Sequence, residues 1–101
     1  MKLYSVLIPI NNPKGYSWSC KLYSEMITTV CAIAGGVTID RKRNDGAFLD
    51  KNGNVVKDTT ISILVATTPE KILEVVEFIK QHYQQSAVFY YVKSEEAHVH
   101  F

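Results

Sequence analysis

Residues 59–70, TTISILVATTPE, decide the fold of this chain. The first eight of them, Thr59–Ala66, are rich in β-branched side chains and predict a buried strand. Thr68 then offers a side-chain oxygen that caps a helix, Pro69 suits the first helical position, and Glu70 favours the positive end of the helix dipole. A strand that passes directly into a helix therefore lies in the second half of the chain.

The first half of the chain predicts a strand followed by a helix. Tyr4–Ile10 favours a first strand over a signal peptide, because the apolar stretch is short and contains Tyr and Pro. Ser17 or Ser19 can cap the helix, and Gly35 can end it in the left-handed conformation. Its apolar face recurs every three or four residues, at Leu22, Met26, Val30 and Ile33.

The middle of the chain predicts a small hairpin that projects between two core strands. Val37–Asp40 begins a strand, Arg41–Gly46 is polar and turn-like, and Ala47–Asp50 is a short strand. Gly53 then occupies a turn position that requires a positive φ, and Val55 resumes the strand.

The remaining elements complete the order of the fold. The second helix carries an apolar stripe, Ala87–Lys93 predicts a strand, and Ala97–Phe101 alternates as a short final strand. Right-handed crossovers in a β-α-β-β-α-β chain place both helices on one face of an antiparallel sheet. We therefore expect residues 1–101 to form a single α+β domain, a ferredoxin-like sandwich with an inserted β-hairpin and a short C-terminal strand. The stripe of the second helix comprises Ile72, Val75, Val76 and Ile79.

Composition and charge limit the classes of function. The chain has 101 residues and a formal net charge of +1, which argues against a protein that coats nucleic acid or an anionic membrane. No apolar run is long enough to cross a bilayer, and the cytoplasm is the expected location. Cys20 and Cys31 lie about three helical turns apart, too far for a disulfide, and are expected to be small core residues.

Basic and aromatic residues supply the candidates for ligand binding. Arg41–Arg43 can clamp a phosphate or carboxylate group, or they form a solvated turn that Asp40 and Asp45 partly neutralise. Trp18 follows a glycine-containing loop and either contacts a planar ligand or covers the end of the core.

Acidic residues and histidines supply the candidates for catalysis and metal binding. Asp50 and Asp58 flank the hairpin, and one of these carboxylates, near an aromatic such as Phe48, can act as a general base if burial raises its pKa, although ordinary charges at the hairpin edge are the alternative. His98 and His100 alternate on the final strand, but no third ligand is spaced for zinc, which favours surface or interface histidines. The sequence contains no phosphate-binding glycine motif, nucleophile elbow or zinc signature, and so predicts neither a metal nor a cofactor.

The order of elements, the projecting hairpin and the short C-terminal strand resemble the PII/CutA-like superfamily of ferredoxin-like trimers. The resemblance spans most of the chain and implies a homo-oligomer, with a trimer favoured. An exposed sheet face that bears Tyr, Phe and Val would then be the association surface.

Two local likenesses add to this resemblance. Gly35–Thr38, Gly46–Asp50 and Gly53–Val56 are similar to a bacterial and phage family of small proteins of unknown function, in which Gly-Gly-x-Thr precedes a Gly-aromatic-acid hairpin. Gly46–Asp50 and Lys57–Thr60 also resemble phage S-adenosylmethionine lyases, which carry Gly-x-Tyr-x-Glu and a glutamate just before the third strand. In the present sequence a phenylalanine and an aspartate stand at the tyrosine and glutamate positions, namely Phe48 and Asp58.

These features lead to three functional hypotheses. The first is a non-enzymatic binding or regulatory module that holds a small anionic or nucleotide-like ligand at subunit clefts, through Arg41, Arg43, Phe48 and Trp18. The second is a lyase that acts on S-adenosylmethionine, with Asp58 as the base or electrostatic group. The third is a phage-type protein that inhibits a host partner through its exposed sheet.

Overall fold

The computed structural model describes residues 1–12 and 14–100. The strands within this part of the chain form one antiparallel sheet in the order β2-β3-β1-β4. The predicted ferredoxin-like order of elements is therefore confirmed. The elements are β1 (Lys2–Pro9), α1 (Cys20–Ala34), β2 (Thr38–Leu49), β3 (Val55–Thr67), α2 (Pro69–His82) and β4 (Tyr90–Ser94).

The hydrophobic core lies between the two helices and one face of the sheet. Side chains alternate along a strand, and Tyr4, Val6 and Ile8 of β1 share the buried face. Val6 pairs with Ile63 and Tyr4 pairs with Val65, so the neighbouring strand turns its apolar residues to the same side. Both helices press their apolar stripes onto this face, with Met26, Val30, Ile72, Val75 and Ile79 buried in the core.

Local signals in the sequence determine where the helices begin and end. The Ser19 side chain caps α1 by accepting a hydrogen bond from the Leu22 amide at 3.2 Å, which settles the choice between Ser17 and Ser19. Gly35 ends α1 with a φ of 88°, as expected. The Thr68 side chain caps α2 in the same way, and Pro69 is its first residue.

The stretch Arg41–Gly46, which the sequence predicts as a turn, belongs to a strand. β2 pairs with β3 from Thr38 to Leu49, so the inserted hairpin is the far end of two long strands. The pairing shifts between Asp40 and Asn44, and the residues of this irregularity, Arg41–Arg43, are named the basic bulge. The prediction failed because both faces of this part of the strand are exposed to solvent. Such a strand needs no alternation of apolar and polar residues, which is the pattern by which a strand is recognised in a sequence.

Beyond the basic bulge, the two strands form a projecting ribbon. It comprises residues 44–49 and 55–60, joined by the turn Asp50–Asn54. The Asp50 carboxylate accepts the Asn52 and Asn54 amides, both at 2.9 Å. Gly53 has a φ of 80°, so the predicted turn glycine is confirmed.

Two further expectations are wrong. Residues 97–100 form no strand, because this tail makes a single backbone hydrogen bond, from the Ala97 amide to the Met1 carbonyl at 2.9 Å. Phe101, the last residue of that predicted strand, lies outside the described residues. Cys20 is exposed at the first position of α1 and Cys31 is half-buried, so neither belongs to the core.

The strand boundaries also shift, since β1 begins at Lys2 and β4 begins at Tyr90. Neither helix in the described part of the chain is long and apolar enough to cross a membrane.

Candidate functional site

A cleft of about 1010 Å³ lies where the ribbon meets the body of the molecule. Three segments form its walls: the loop after β1, both strands of the ribbon, and the residues after α2. We name it the ribbon cleft. Its volume suits a small molecule. Its lining residues are Pro9, Asn11, Asn12, Gly15, Asp45–Phe48, Val56–Thr59 and Gln84–Ser86.

The loop wall is built around Asn12. Its side-chain oxygen accepts the backbone amides of Lys14 at 2.9 Å and Tyr16 at 3.0 Å. The Asn12 carbonyl accepts the Gly15 amide at 2.9 Å, and Gly15 has a φ of 88°. These bonds tie Asn12 to Lys14, Gly15 and Tyr16 beside the cleft.

The ribbon wall depends on a close approach between Gly46 and Asp58. The two residues are paired across β2 and β3, and a Cβ atom added at Gly46 would lie 2.9 Å from Asp58 Oδ1. Only glycine therefore leaves the half-buried carboxylate in its position. In the neighbouring pair, the Thr59 hydroxyl donates to Asp45 Oδ1 at 3.3 Å.

The third wall follows the end of α2 and contains the one non-glycine residue with a positive φ in the described chain. Gln84 has a φ of 54°, a conformation that glutamine adopts at a cost of about 1 kcal/mol. The Gln85 amide bonds to the Lys80 carbonyl at 2.8 Å, and its side chain donates to the Tyr83 carbonyl at 2.9 Å. Gln85 is thus held by the helix end, while Gln84 lines the cleft.

Tyr83 anchors this third wall in the core. Its ring is 1% exposed and meets the rings of Trp18 and His82 edge-on, with centroids 5.3 Å and 5.1 Å away. Burial, with a smaller contribution from the Tyr23 phenol, raises the pKa of Tyr83 to about 12. The phenol therefore stays neutral throughout the physiological range of pH.

The structure brings together two of the residues that the sequence singled out. Phe48 and Asp58 both line the ribbon cleft, on two pairs of the same strands that are separated by one pair, Ala47 with Lys57. Phe48 is 48% exposed, which leaves its ring available to a planar ligand.

Trp18 does not line the cleft. It packs against the core beside Tyr83, as in the alternative considered for it, and its indole nitrogen is buried with no hydrogen-bond partner in the described chain.

The basic residues also lie apart from the cleft lining. Arg41 reaches α1, where its guanidinium lies 3.5 Å from the Tyr23 hydroxyl and 5.8 Å from the centre of the ring. Arg43 is exposed on the basic bulge. Within one chain, therefore, these two side chains do not join Phe48 and Asp58, and a shared role would need a second chain. The ligand-binding roles of all four residues stay predictions.

The charged residues that line the cleft include more acidic than basic side chains. Asp45 and Asp58 contribute two carboxylates, and Lys57 contributes one ammonium group. Polar but uncharged side chains make up much of the rest, notably Asn11 and Gln84. This arrangement favours a ligand with hydrogen-bonding edges over one with several negative charges.

The histidines lie outside the cleft lining and differ in the contacts that they make. The His82 ring is stacked on Phe78 and lies 2.7 Å from the Leu22 carbonyl, so it links α2 to α1. His98 lies 3.5 Å from a Glu96 oxygen at the surface. Within residues 1–12 and 14–100, no group of three or more His, Cys, Asp or Glu side chains is placed to hold a metal ion.

Sequence reasoning missed the amide-bearing walls of the cleft. The segment that contains Asn11 and Asn12 carries no sequence signal beyond that of a loop. Gln84 gave no signal, because polar residues after a helix are ordinary and the left-handed conformation is visible only in the structure. Both walls meet the ribbon through long-range packing that no local pattern encodes.

No protein-family model matches the sequence, and no curated protein matches it either. Solved structures share the fold. A phage SAM lyase in complex with S-methyl-5'-thioadenosine is 10% identical, with a TM-score of 0.67 over 91% of this chain and 79% of the lyase.

Two CutA proteins are also similar. The periplasmic divalent cation tolerance protein CutA from Archaeoglobus fulgidus is 16% identical, with a TM-score of 0.63 over 97% of this chain and 86% of that one. The divalent cation tolerance protein from Thermus thermophilus is 16% identical, with a TM-score of 0.61 over 95% and 86%. Identities this low establish the fold alone, and the chain has the PII/CutA-like ferredoxin-like fold that it shares with CutA and with phage SAM lyase.

Proposed function

We propose that residues 1–101 act as one domain that assembles into a homo-oligomer, with a trimer favoured, and binds a small nucleotide-like or anionic ligand as a binding or regulatory module. The ribbon cleft carries the proposal, because Phe48 and Asp58 line it together with Asn11 and Gln84. The subunit clefts of the assembly would include this site. The cytoplasmic location expected from the sequence stays a prediction.

The chemistry of the cleft favours a nucleoside over a polyanion. Phe48 offers an exposed ring for stacking, and the amides of Asn11 and Gln84 can pair with the edge of a base. A polyanion would meet Asp45 and Asp58, and would need cations from elsewhere, such as Arg41 and Arg43 of a neighbouring subunit. The similar phage SAM lyase holds S-methyl-5'-thioadenosine, a nucleoside thioether, which supports the same preference.

The sheet face opposite the helices supports an oligomer. On this open face Phe89 is 64% and Tyr91 is 44% exposed, with their rings 5.9 Å apart. The Ser5 hydroxyl is buried between neighbouring strands and has no hydrogen-bond partner among the described residues. A second chain would cover the aromatic rings, which a monomer leaves in water. The open-face side chains of β1, β3 and β4 include Leu3, Ser5, Leu7, Ser62, Leu64, Ala66 and Tyr91.

Ligand binding is tested by calorimetry and thermal shift with S-adenosylmethionine, S-methyl-5'-thioadenosine, ATP and inorganic phosphate. We expect a nucleoside-containing compound to stabilise the protein, and Phe48→Ala to weaken its binding. Tyr16→Ala is the matched control, since Tyr16 is an aromatic that is 70% exposed and does not line the cleft. The absence of a thermal shift with every compound would contradict the proposal, and a native mass of one chain would exclude a site between subunits.

A second candidate function is a lyase that acts on S-adenosylmethionine. The observation that favours it is the similarity to phage SAM lyase together with the position of Asp58 in the cleft, where the carboxylate can act as a base. Incubation with S-adenosylmethionine would release S-methyl-5'-thioadenosine, detected by chromatography. Asp58→Asn should retain binding and lose turnover, and a wild-type protein that binds the compound without cleaving it would restrict the function to binding.

A further inference from the structure

The turn at the tip of the ribbon contains the one Asn-Gly pair of the sequence. Of the asparagines in the chain, only Asn52 precedes a glycine. Asn52 and Gly53 are both exposed, and the Asn52 side chain forms no hydrogen bond with a described residue. No described atom beyond the chain neighbours lies within 4 Å of a Cβ atom placed on Gly53. The space beside Gly53 is therefore open to solvent and to the Asn52 side chain.

The side-chain amide of an asparagine is reactive toward the backbone nitrogen of the next residue. The attack closes a small ring, and a following residue without a Cβ atom obstructs it least. Asn54 precedes Val55, whose branched side chain crowds the nitrogen. Asn12 precedes a proline, whose nitrogen has no proton to lose. The order of residues therefore favours the reaction at Asn52.

The fold restrains two other candidates for this reaction. Asn44 lies in the paired part of β2, and its side-chain amide donates to Ser62 Oγ at 3.4 Å. The aspartate of the Asp45–Gly46 pair can close the same ring with loss of water. However, both residues are paired with β3, and Asp45 Oδ1 accepts the Thr59 hydroxyl at 3.3 Å. The turn at Asn52 lacks such restraint on its reacting side chain.

Asp50 restrains the backbone of the turn instead. Its carboxylate accepts the amides on both sides of Gly53, from Asn52 and Asn54, at 2.9 Å each. Its carbonyl accepts the Gly53 amide at 3.1 Å. The Gly53 nitrogen attacks only after this last bond opens, and its proton leaves less readily near a negative carboxylate. Asp50 therefore slows the reaction that the sequence favours.

We propose that Asn52 is a site of spontaneous modification, at which the Gly53 nitrogen displaces the side-chain amide at a rate that Asp50 restrains. The Gly53 amide gives its proton to water, its nitrogen forms a bond to Asn52 Cγ, and the side-chain nitrogen leaves as ammonia. Water then opens the ring at either carbonyl and yields aspartate or isoaspartate. The reaction consumes one water, releases one ammonia, and requires no ligand in the ribbon cleft.

The conversion changes both the charge and the shape of the ribbon tip. The new carboxylate lowers the formal net charge by one, from +1 to 0. It lies in the turn that joins Leu49 and Val55, which are 69% and 67% exposed. Isoaspartate also lengthens the backbone by one methylene group, so Asp50 no longer holds both neighbouring amides. The converted ribbon is therefore looser, and its charged tip is less suited to an apolar contact.

Peptide mapping by mass spectrometry tests the site, after the folded protein has been incubated at mildly alkaline pH. Trypsin cuts after Lys51 and Lys57, so one peptide reports on both Asn52 and Asn54. We expect Asn52 to gain the mass difference between an amide and an acid at least about tenfold faster than Asn54 does. A protein isoaspartate methyltransferase should label the peptide. Asn54→Gln is the matched control, and it should leave both the rate and the labelling unchanged.

The restraint by Asp50 is tested separately. Asp50→Ala should convert at least about threefold faster than wild type, because the turn opens more often. Asp40→Ala is the control, since Asp40 also accepts an amide two residues on, from Lys42 at 3.0 Å, but outside the turn. Should Asp50→Ala fail to fold by circular dichroism, Asp50→Asn takes its place, because it removes the charge and keeps an acceptor. Hydrogen exchange should be faster at Val55 in the converted chain than in the fresh one.

Each part of the proposal has a result that would overturn it. An unchanged Asn52 in the folded protein, under conditions in which the urea-unfolded chain converts, would show that the fold protects the site. Conversion of Asn44 or Asn54 at the same rate would remove the selectivity. An unchanged rate in the Asp50 variants would exclude the restraint, and unchanged hydrogen exchange after conversion would exclude the effect on the ribbon.

Discussion

At the scale of single residues, Gly46 determines where the Asp58 carboxylate can lie. A Cβ atom at this position would come within 2.9 Å of Asp58 Oδ1. We predict that Gly46→Ala lowers the free energy of unfolding by about 1 kcal/mol and displaces the carboxylate from the cleft. In an Asp58→Ala background the same change should be neutral or stabilising by about 0.5 kcal/mol, because the clash is gone and alanine restricts the unfolded chain.

Urea denaturation of the four proteins of this double-mutant cycle measures the coupling. Gly36→Ala is the control, since no atom of the fold lies within 4 Å of a Cβ atom there and its φ is not positive. Equal effects of Gly46→Ala in the two backgrounds would show that the close approach to Asp58 does not constrain this position.

Tyr83 makes the free energy of unfolding depend on pH in the alkaline range. Its pKa is about 12 in the folded state against 10.0 for the free side chain. The unfolded chain therefore loses the phenol proton first, so this contribution to stability is complete below pH 10 and is lost as pH rises toward 12.

We predict that Tyr83→Phe flattens the decline in the free energy of unfolding between about pH 10 and pH 12. Urea denaturation across this range checks it, with Tyr16→Phe as the control, because Tyr16 is 70% exposed. A decline that stays as steep in Tyr83→Phe as in wild type would assign it to other groups.

At the scale of secondary-structure elements, the start of α1 depends on one side chain. Ser19 accepts the Leu22 amide, whereas Ser17 lies in a bridge with Asn11 before the helix. We predict that Ser19→Ala costs about 1 kcal/mol of stability, since the amide at the helix start loses its acceptor. Ser17→Ala is the natural control and should stay within about 0.5 kcal/mol of wild type in thermal and urea unfolding. The reverse order of the two variants would place the cap at Ser17.

Elements with local signals were predictable, and those formed by distant pairing were not. The start of α2 could be predicted because Thr68 and Pro69 act on their own neighbours. β2 could be predicted only at its two ends, up to Asp40 and again from Ala47, since the polar residues between them are held in the strand by pairing with β3. The prediction of a strand in the tail was wrong for the opposite reason. The alternation at Ala97–His100 resembles that of a strand, but no partner strand runs beside it within the described residues.

The residues of the candidate site also divide into those that local sequence signals place and those that only distant contacts place. Phe48 and Asp58 were predictable because both lie on the hairpin that the sequence outlines, and paired strands keep them close. Trp18, Arg41 and Arg43 were grouped with them by chemistry alone. The fold separates these three, because the loop after β1 turns Trp18 into the core and the bulge turns Arg41 to α1.

At the scale of the whole molecule, the ribbon makes the shape elongated, with extents of 45 × 28 × 23 Å. Its tip carries Leu49 and Val55, a cross-strand pair that is 69% and 67% exposed. A two-stranded ribbon with apolar tips is marginally stable in water by itself. The tip is therefore expected to pack on another copy in the proposed oligomer.

We predict that Leu49→Glu with Val55→Glu shifts the native mass toward one chain, because carboxylates at an apolar contact lose hydration without a partner. Light scattering coupled to gel filtration measures the mass over a range of protein concentrations. Leu73→Glu is the control, since Leu73 is 56% exposed on α2 and away from the sheet. If the tip variant keeps the mass of wild type, the ribbon tip takes no part in assembly.

The basic bulge also determines how the length of β2 can vary. Asp40 pairs with Ser62 and Asn44 with Thr60, so three residues on β2 stand opposite one on β3, and the excess is two. Since side chains alternate with a period of two, an even excess keeps the alternation of β2 in phase on the two sides of the bulge. Removing two residues here would preserve the facing of the whole ribbon, whereas removing one would invert it. Natural insertions and deletions in this strand should therefore come in pairs.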